Sequence, residues 1–255
     1  MTYKSIKQYF LLASLAVSTI VMISGCSSST STPTPNTPSN VYPAKGSSYT
    51  YAFNQTDSSG NMIGSSSTVN ASVTDSGQTF FLQGNSYTIS SPGDTNHFAY
   101  SGSNDALLYI ENSGASGLLA SVGDTILRRW INLSTSSHTA SQVILDSMPI
   151  TVLVSSFQIA AKVHLVASYF GSDSVHIGSG ESLFVQHCRI VATATSDPSI
   201  FIPTPVTLTN MRDIYFAPKI GTFAKETTFT TIPSALGMPG NKGGTVQVLT
   251  SYTLK

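Results

Sequence analysis

From Ser47 onward, apolar and polar side chains alternate with a period of two, the pattern of strands that bury one face, and not with the period of a helix. Tyr49, Tyr51 and Phe53 fall on one face of such a strand, and Val69, Ala71 and Val73 on one face of another. The clearest run sets Phe157, Ile159, Ala161, Val163, Leu165, Ala167 and Tyr169 on one side, with Gln158, Lys162, His164 and Ser168 on the other, and predicts a long half-buried strand. Residues suited to positive φ punctuate these runs at 57–61, Asp75-Ser76-Gly77, Pro92-Gly93-Asp94, 101–104, Gly178-Ser179-Gly180 and Pro239-Gly240-Asn241, each read as a turn that ends a strand. One short helix is expected around 115–122. The fold class that follows is all-β or mainly β: a curved antiparallel sheet, as a half-barrel, open barrel or sandwich, spanning 46–255 as a single domain.

The first 45 residues break this pattern. Lys4 and Lys7 precede an apolar stretch at 9–22, shorter than the ~20 residues of a membrane span, and Ile23-Ser24-Gly25-Cys26 follows it. A basic start, a short apolar run and then small residues form the layout of a secretory signal peptide, assigned to 1–25. Residues 27–40 read SSSTSTPTPNTPSN, with no apolar side chain larger than proline. Such a segment cannot offset its ordering entropy by burial, so 26–45 is expected to be a disordered linker. At about 3.1 Å per residue it reaches at most roughly 60 Å.

The tetrad Ile23-Ser24-Gly25-Cys26 resembles the lipobox of bacterial lipoproteins. The resemblance implies cleavage between Gly25 and Cys26, a diacylglyceryl group on the Cys26 thiol and, in many bacteria, acylation of the new amine. Two or more acyl chains anchor a protein stably where one is marginal. Ser27 in place of an aspartate favours the outer over the inner membrane. Tyr215-Phe216-Ala217-Pro218-Lys219-Ile220-Gly221-Thr222-Phe223-Ala224-Lys225 resembles a hairpin of uncharacterised exported lipoproteins. Those are similar to the lipoprotein-carrier half-barrels, whose curved antiparallel sheet wraps an apolar concave face. Without any family, Pro218 and Gly221 already bracket a tight turn between two strands.

Composition narrows the function classes. Only 9% of residues are charged and the formal net charge is zero, with Ser, Thr, Asn and Gly in place of the missing charges. Arg128-Arg129 is the sole basic pair, so the charge needed to displace phosphate counterions is lacking and nucleic acid is set aside as a partner. With Cys26 acylated, Cys188 has no thiol to pair with. Alternation places Cys188 on one face with Phe184, Ile190 and Ala192, and His187 and Arg189 on the other, which reads as a buried structural thiol and not an exposed nucleophile.

The search for chemistry finds no G-x-S-x-G elbow, H-E-x-x-H pair, Walker loop or S-x-x-K spacing; Gly178-Ser179-Gly180-Glu181-Ser182 has the letters of the elbow in the wrong order. His97, His138, His164, His176 and His187 lack metal-ligand spacing apart from the loose Asp173-x-x-His176, and no calcium loop is present. Asp124, Asp146 and Asp213 are the acids nearest apolar segments and the candidates for a glycosidase pair. Trp130, beside Arg128 and Arg129, reads either as core or as a platform for a sugar or lipid headgroup. The expectation is a membrane-anchored, non-enzymatic envelope lipoprotein with no cofactor and a binding or structural role. The alternatives are a carrier of an apolar molecule and a polysaccharide-binding or polysaccharide-cleaving surface protein.

Overall fold

The computed structural model describes residues 40–101, 105–110, 128–133, 141–154, 157–198, 204–234 and 240–255. Residues 1–39, with Gly25 and Cys26, lie outside them, as do 115–122, Asp124 and His138. The described residues form twelve strands: β1 (Ser48–Thr56), β2 (Met62–Phe80), β3 (Gln83–Ser91), β4 (Asp94–Tyr100), β5 (Ala106–Ile110), β6 (Arg129–Asn132), β7 (Gln142–Val154), β8 (Phe157–His176), β9 (Ser182–Ser196), β10 (Thr207–Ala217), β11 (Thr222–Ile232) and β12 (Asn241–Thr253).

All twelve belong to one sheet in the order β6-β5-β4-β3-β2-β1-β12-β11-β10-β9-β8-β7, and each neighbouring pair is antiparallel. The sheet is therefore an up-and-down meander in two halves, β1 to β6 and β7 to β12, within each of which every strand pairs with the next in sequence, and one non-local pair, β1 with β12, joins the halves. The two ends of the sheet, β6 and β7, are consecutive in the chain, so the seam of this nearly closed barrel lies mid-sequence and not between the termini. Side chains bridge it: Arg129 Nη1 donates to the Ile144 carbonyl at 3.1 Å, and the Tyr169 hydroxyl to the Asn132 carbonyl at 2.6 Å.

The period-two pattern dictates which face turns inward. On β8, Ala161, Val163, Leu165 and Ala167 are at most 5% exposed, while Lys162 on the other face is exposed, and the strand continues beyond the alternating run to His176. Tyr49, Tyr51, Ala71 and Val73 are likewise core, with Val69 packed against them. The side chain of Phe157 lies outside the described residues.

Two readings of the sequence are corrected. Asp75-Ser76-Gly77 does not end a strand: β2 runs through it, its register against β3 slips three times between Val73 and Phe80, and Gly77 takes φ +77°. Glycine at positive φ serves a bulge as readily as a turn, and the chain reverses only at Phe81 and Leu82. Phe184 is not the core neighbour of Cys188. The buried set on β9 runs Leu183, Val185, Cys188, Ile190, changing phase beside a bulge that leaves Phe170 unpaired between Tyr169 and Gly171.

Candidate functional site

The densest set of specific contacts lies at the end of the barrel where the chain enters. There the turn between β10 and β11 is tucked inward, with Ala217, Ile220, Thr222 and Ala224 fully buried. A buried turn carries backbone carbonyls that no ladder satisfies. Three buried tyrosines supply the missing donors: Tyr49 donates to the Ile220 carbonyl at 2.9 Å, Tyr87 to that of Gly221 at 2.8 Å and Tyr51 to that of Phe223 at 3.3 Å. Burial pushes these phenols above their ordinary value, so they stay protonated donors throughout the physiological range. Alternation from β1 and β3 delivers the rings to the interior, and the hydroxyl at each tip finds the turn.

The entering chain straps across this plug. Val41 N–H donates to the Pro218 carbonyl at 2.9 Å, the Tyr100 hydroxyl to the Val41 carbonyl at 3.2 Å, the Ser76 hydroxyl to the Pro43 carbonyl at 3.0 Å and Gly46 N–H to the Val73 carbonyl at 2.9 Å. The Tyr42 ring meets Tyr100 edge-on at 4.7 Å. Gly221, at φ +67°, is the point of closest approach: a Cβ there would lie 2.7 Å from both the Val41 carbonyl oxygen and Pro43 Cδ. Beside the plug, Lys219 pairs with Glu181, which also accepts from Tyr252 at 3.1 Å. The lysine hydrogen bond holds the Glu181 carboxyl below its ordinary value against a small opposing effect of desolvation.

Farther up the lumen, Arg212 pairs with Glu226 and reaches Asn96 Oδ1 at 3.0 Å, joining β10 and β11 to β4 across the interior. Asn96 in turn donates to Asp94 at 2.8 Å.

On the outside of β8–β10 the structure brings Asp213 to His187 and Arg189, which alternation along β9 already places on one face. Asp213 accepts from Arg189 through both oxygens, at 2.8 and 3.0 Å, and lies 3.0 Å from His187 Nε2. The imidazole is stacked between Tyr215 at 4.2 Å and Phe170 at 4.7 Å. Asp146 is elsewhere, exposed on β7 and 3.3 Å from His164. Three strand spacings separate β7 from β10, about 14 Å, more than the 5–9.5 Å over which paired carboxylates cleave glycosides. Asp213 and Asp146 are therefore not a catalytic pair. Cys188 faces inward, and burial, followed by the nearby charge of Asp213, pushes its thiol up to about 12, where it is neither thiolate nor accessible.

Among the described residues the remaining histidines stay apart, and no group of three His, Cys, Asp or Glu comes together. His97 lies 2.9 Å from the Thr88 hydroxyl and stacks on Phe80 at 3.8 Å. Trp130 is neither core nor an open platform. It lies half-buried on the outer face, in one row with His97 and Tyr109, and its indole N–H donates to the Phe81 carbonyl at 3.2 Å.

No protein-family model matches the chain, and no curated protein matches it. Among solved structures, the hypothetical lipoprotein YmcC from Escherichia coli (K12) is similar over 80% of this chain and 84% of its own, at 13% sequence identity and a TM-score of 0.29. A likeness that loose carries no argument about arrangement or role.

Proposed function

We propose that this protein is a lipid-anchored lipoprotein of the bacterial cell envelope, whose barrel is a non-catalytic binding or structural module tethered to the membrane by residues 26–45. The observation that carries the reading is the lipobox-like Ile23-Ser24-Gly25-Cys26 behind a short apolar stretch. The strap fits it: the chain arriving from Cys26 is fastened to the barrel from Val41 to Gly46, so tension on the tether meets four hydrogen bonds, to β2, β4 and the β10–β11 turn. Ser27 favours the outer membrane as the site of anchoring.

The interior supports a structural module over a carrier. The apolar faces that a carried lipid would occupy belong to one continuous core, with Val163, Val185, Phe216 and Leu249 wholly buried. On the outer face Asp213 is shared between His187 and Arg189, a cluster that suits a structural role. Metabolic labelling of the producing cells with a palmitate analogue tests the proposal: label is expected on the wild-type chain and absent from Cys26→Ser. Equal labelling of both, or labelling of neither, refutes it.

A further inference from the structure

The β2–β3 turn pairs a demanding backbone with the wrong residues for it. Phe81 and Leu82 sit at φ +46° and +68°, the left-handed pair of a type I′ hairpin turn, where Asn-Gly is the low-strain choice. Burial recovers little of this strain: Leu82 is 98% exposed, and Phe81 is 49% exposed with its ring 5.0 Å from that of Tyr109.

The turn is nevertheless firmly placed. Phe80 stacks on His97 and meets Tyr109 edge-on at 5.0 Å, while the indole of Trp130 holds the Phe81 carbonyl. The bulges of β2 thus bend the hairpin over an aromatic shelf on the outer face and present a rigid apolar tip. No charged residue occurs from Ser76 to Gly93, so the tip can leave water without stripping an ion of its hydration.

We propose that the Phe81-Leu82 tip inserts into the boundary between headgroups and acyl chains of the bilayer to which the chain is anchored, giving the barrel a second hold on its own membrane. The inference rests on the lipoprotein reading. Two features select a bilayer as the occupant. One leucine and half a phenylalanine expose far less than the roughly 800 Å² per partner that a stable protein interface buries, yet apolar side chains of this kind beside Trp and Tyr suit a lipid interface. The tether also arrives at the same hairpin: Ser76 donates to Pro43, and the stretch from Cys26 to Asn40 reaches at most about 40 Å, so anchor and tip meet one membrane.

Trp130 is the only tryptophan of the chain and touches the tip, so its emission reports where the tip lies. The purified full-length protein is added to phosphatidylethanolamine–phosphatidylglycerol vesicles, plain or carrying lipids brominated on the acyl chain near the headgroup. Flotation with the vesicles reads the anchor, and bromine quenching of Trp130 reads the tip. The wild-type protein is expected to float and to be quenched. The variant F81N/L82G installs the favoured turn residues and so keeps the hairpin folded; it is expected to float with its quenching lost. Quenching undiminished in the variant, or flotation of the wild-type without quenching, overturns the insertion and leaves the anchor standing. A wild-type chain that neither floats nor is quenched overturns both.

Discussion

Gly221→Ala is the sharpest single perturbation of the strapped end. The change has two parts that can be separated. An alanine at φ +67° pays for left-handed backbone, about 1–2 kcal/mol. Its Cβ must also enter a space 2.7 Å from Pro43 Cδ and 2.7 Å from the Val41 carbonyl oxygen, both part of the strap and neither the free end of a flexible side chain. Displacing the strap sacrifices the Val41–Pro218 and Tyr100–Val41 hydrogen bonds, worth about 1 kcal/mol each. The total is about 3–4 kcal/mol, or a fall in Tm of roughly 6–15 °C for a domain of this size. Gly93→Ala is the control: its φ is +83° but nothing lies within 4 Å of the added carbon, so it carries the backbone cost alone. Thermal melts of the two variants should differ by about 2 kcal/mol, and trypsin should cut after Lys45 faster in Gly221→Ala than in Gly93→Ala. Equal melts and equal cleavage rates would show that the strap does not bear on Gly221.

Other consequences follow from the same contacts. Tyr87→Phe leaves the Gly221 carbonyl buried without its donor and should cost about 1–3 kcal/mol in denaturant melts, whereas Tyr42→Phe, on a half-exposed ring, should cost less than 1. Arg212→Met strands Glu226 in the interior and should cost about 3–5 kcal/mol, with the double variant R212M/E226L recovering a large part; a double variant no better than the single one would contradict the pairing. The Glu181 carboxyl is held low by Lys219, so its contribution is present above the ordinary carboxylate value and is lost as pH falls through its depressed one. The pair is largely exposed, so wild-type should lose only a few tenths of a kcal/mol more than Glu181→Gln between neutral and acidic buffer.

Much of the fold is written in local pattern. β8, the pair Tyr49 and Tyr51 and the turn at 218–221 are readable because alternation and turn chemistry act over a few residues. The pairing of β1 with β12 is not, because it joins segments some 200 residues apart whose alternation would suit many partners. Asp75-Ser76-Gly77 misleads for a physical reason, since positive φ at glycine is shared by bulges and turns. The true turn at Phe81-Leu82 carries no turn residue.

At the strapped end the rings of Tyr49 and Tyr51 were legible as core, but their hydroxyls take meaning only from a turn about 170 residues away. Arg212 did leave a trace: it lies in phase with Ile214 and Phe216, and a charge on an apolar face calls for a buried partner. Glu226, one strand away, supplies it. The Asp213 cluster needed the register of β9 against β10, which pairs Asp213 with Arg189 and Tyr215 with His187.

The central claim is that the chain is cut before Cys26 and acylated on it, which intact mass spectrometry of the protein extracted from its native membrane tests most directly. The account predicts a mass that begins at Cys26 and exceeds the polypeptide by a diacylglyceryl group, with or without a third acyl chain. A mass that retains residues 1–25, or one that begins at or before Cys26 without lipid, would contradict it.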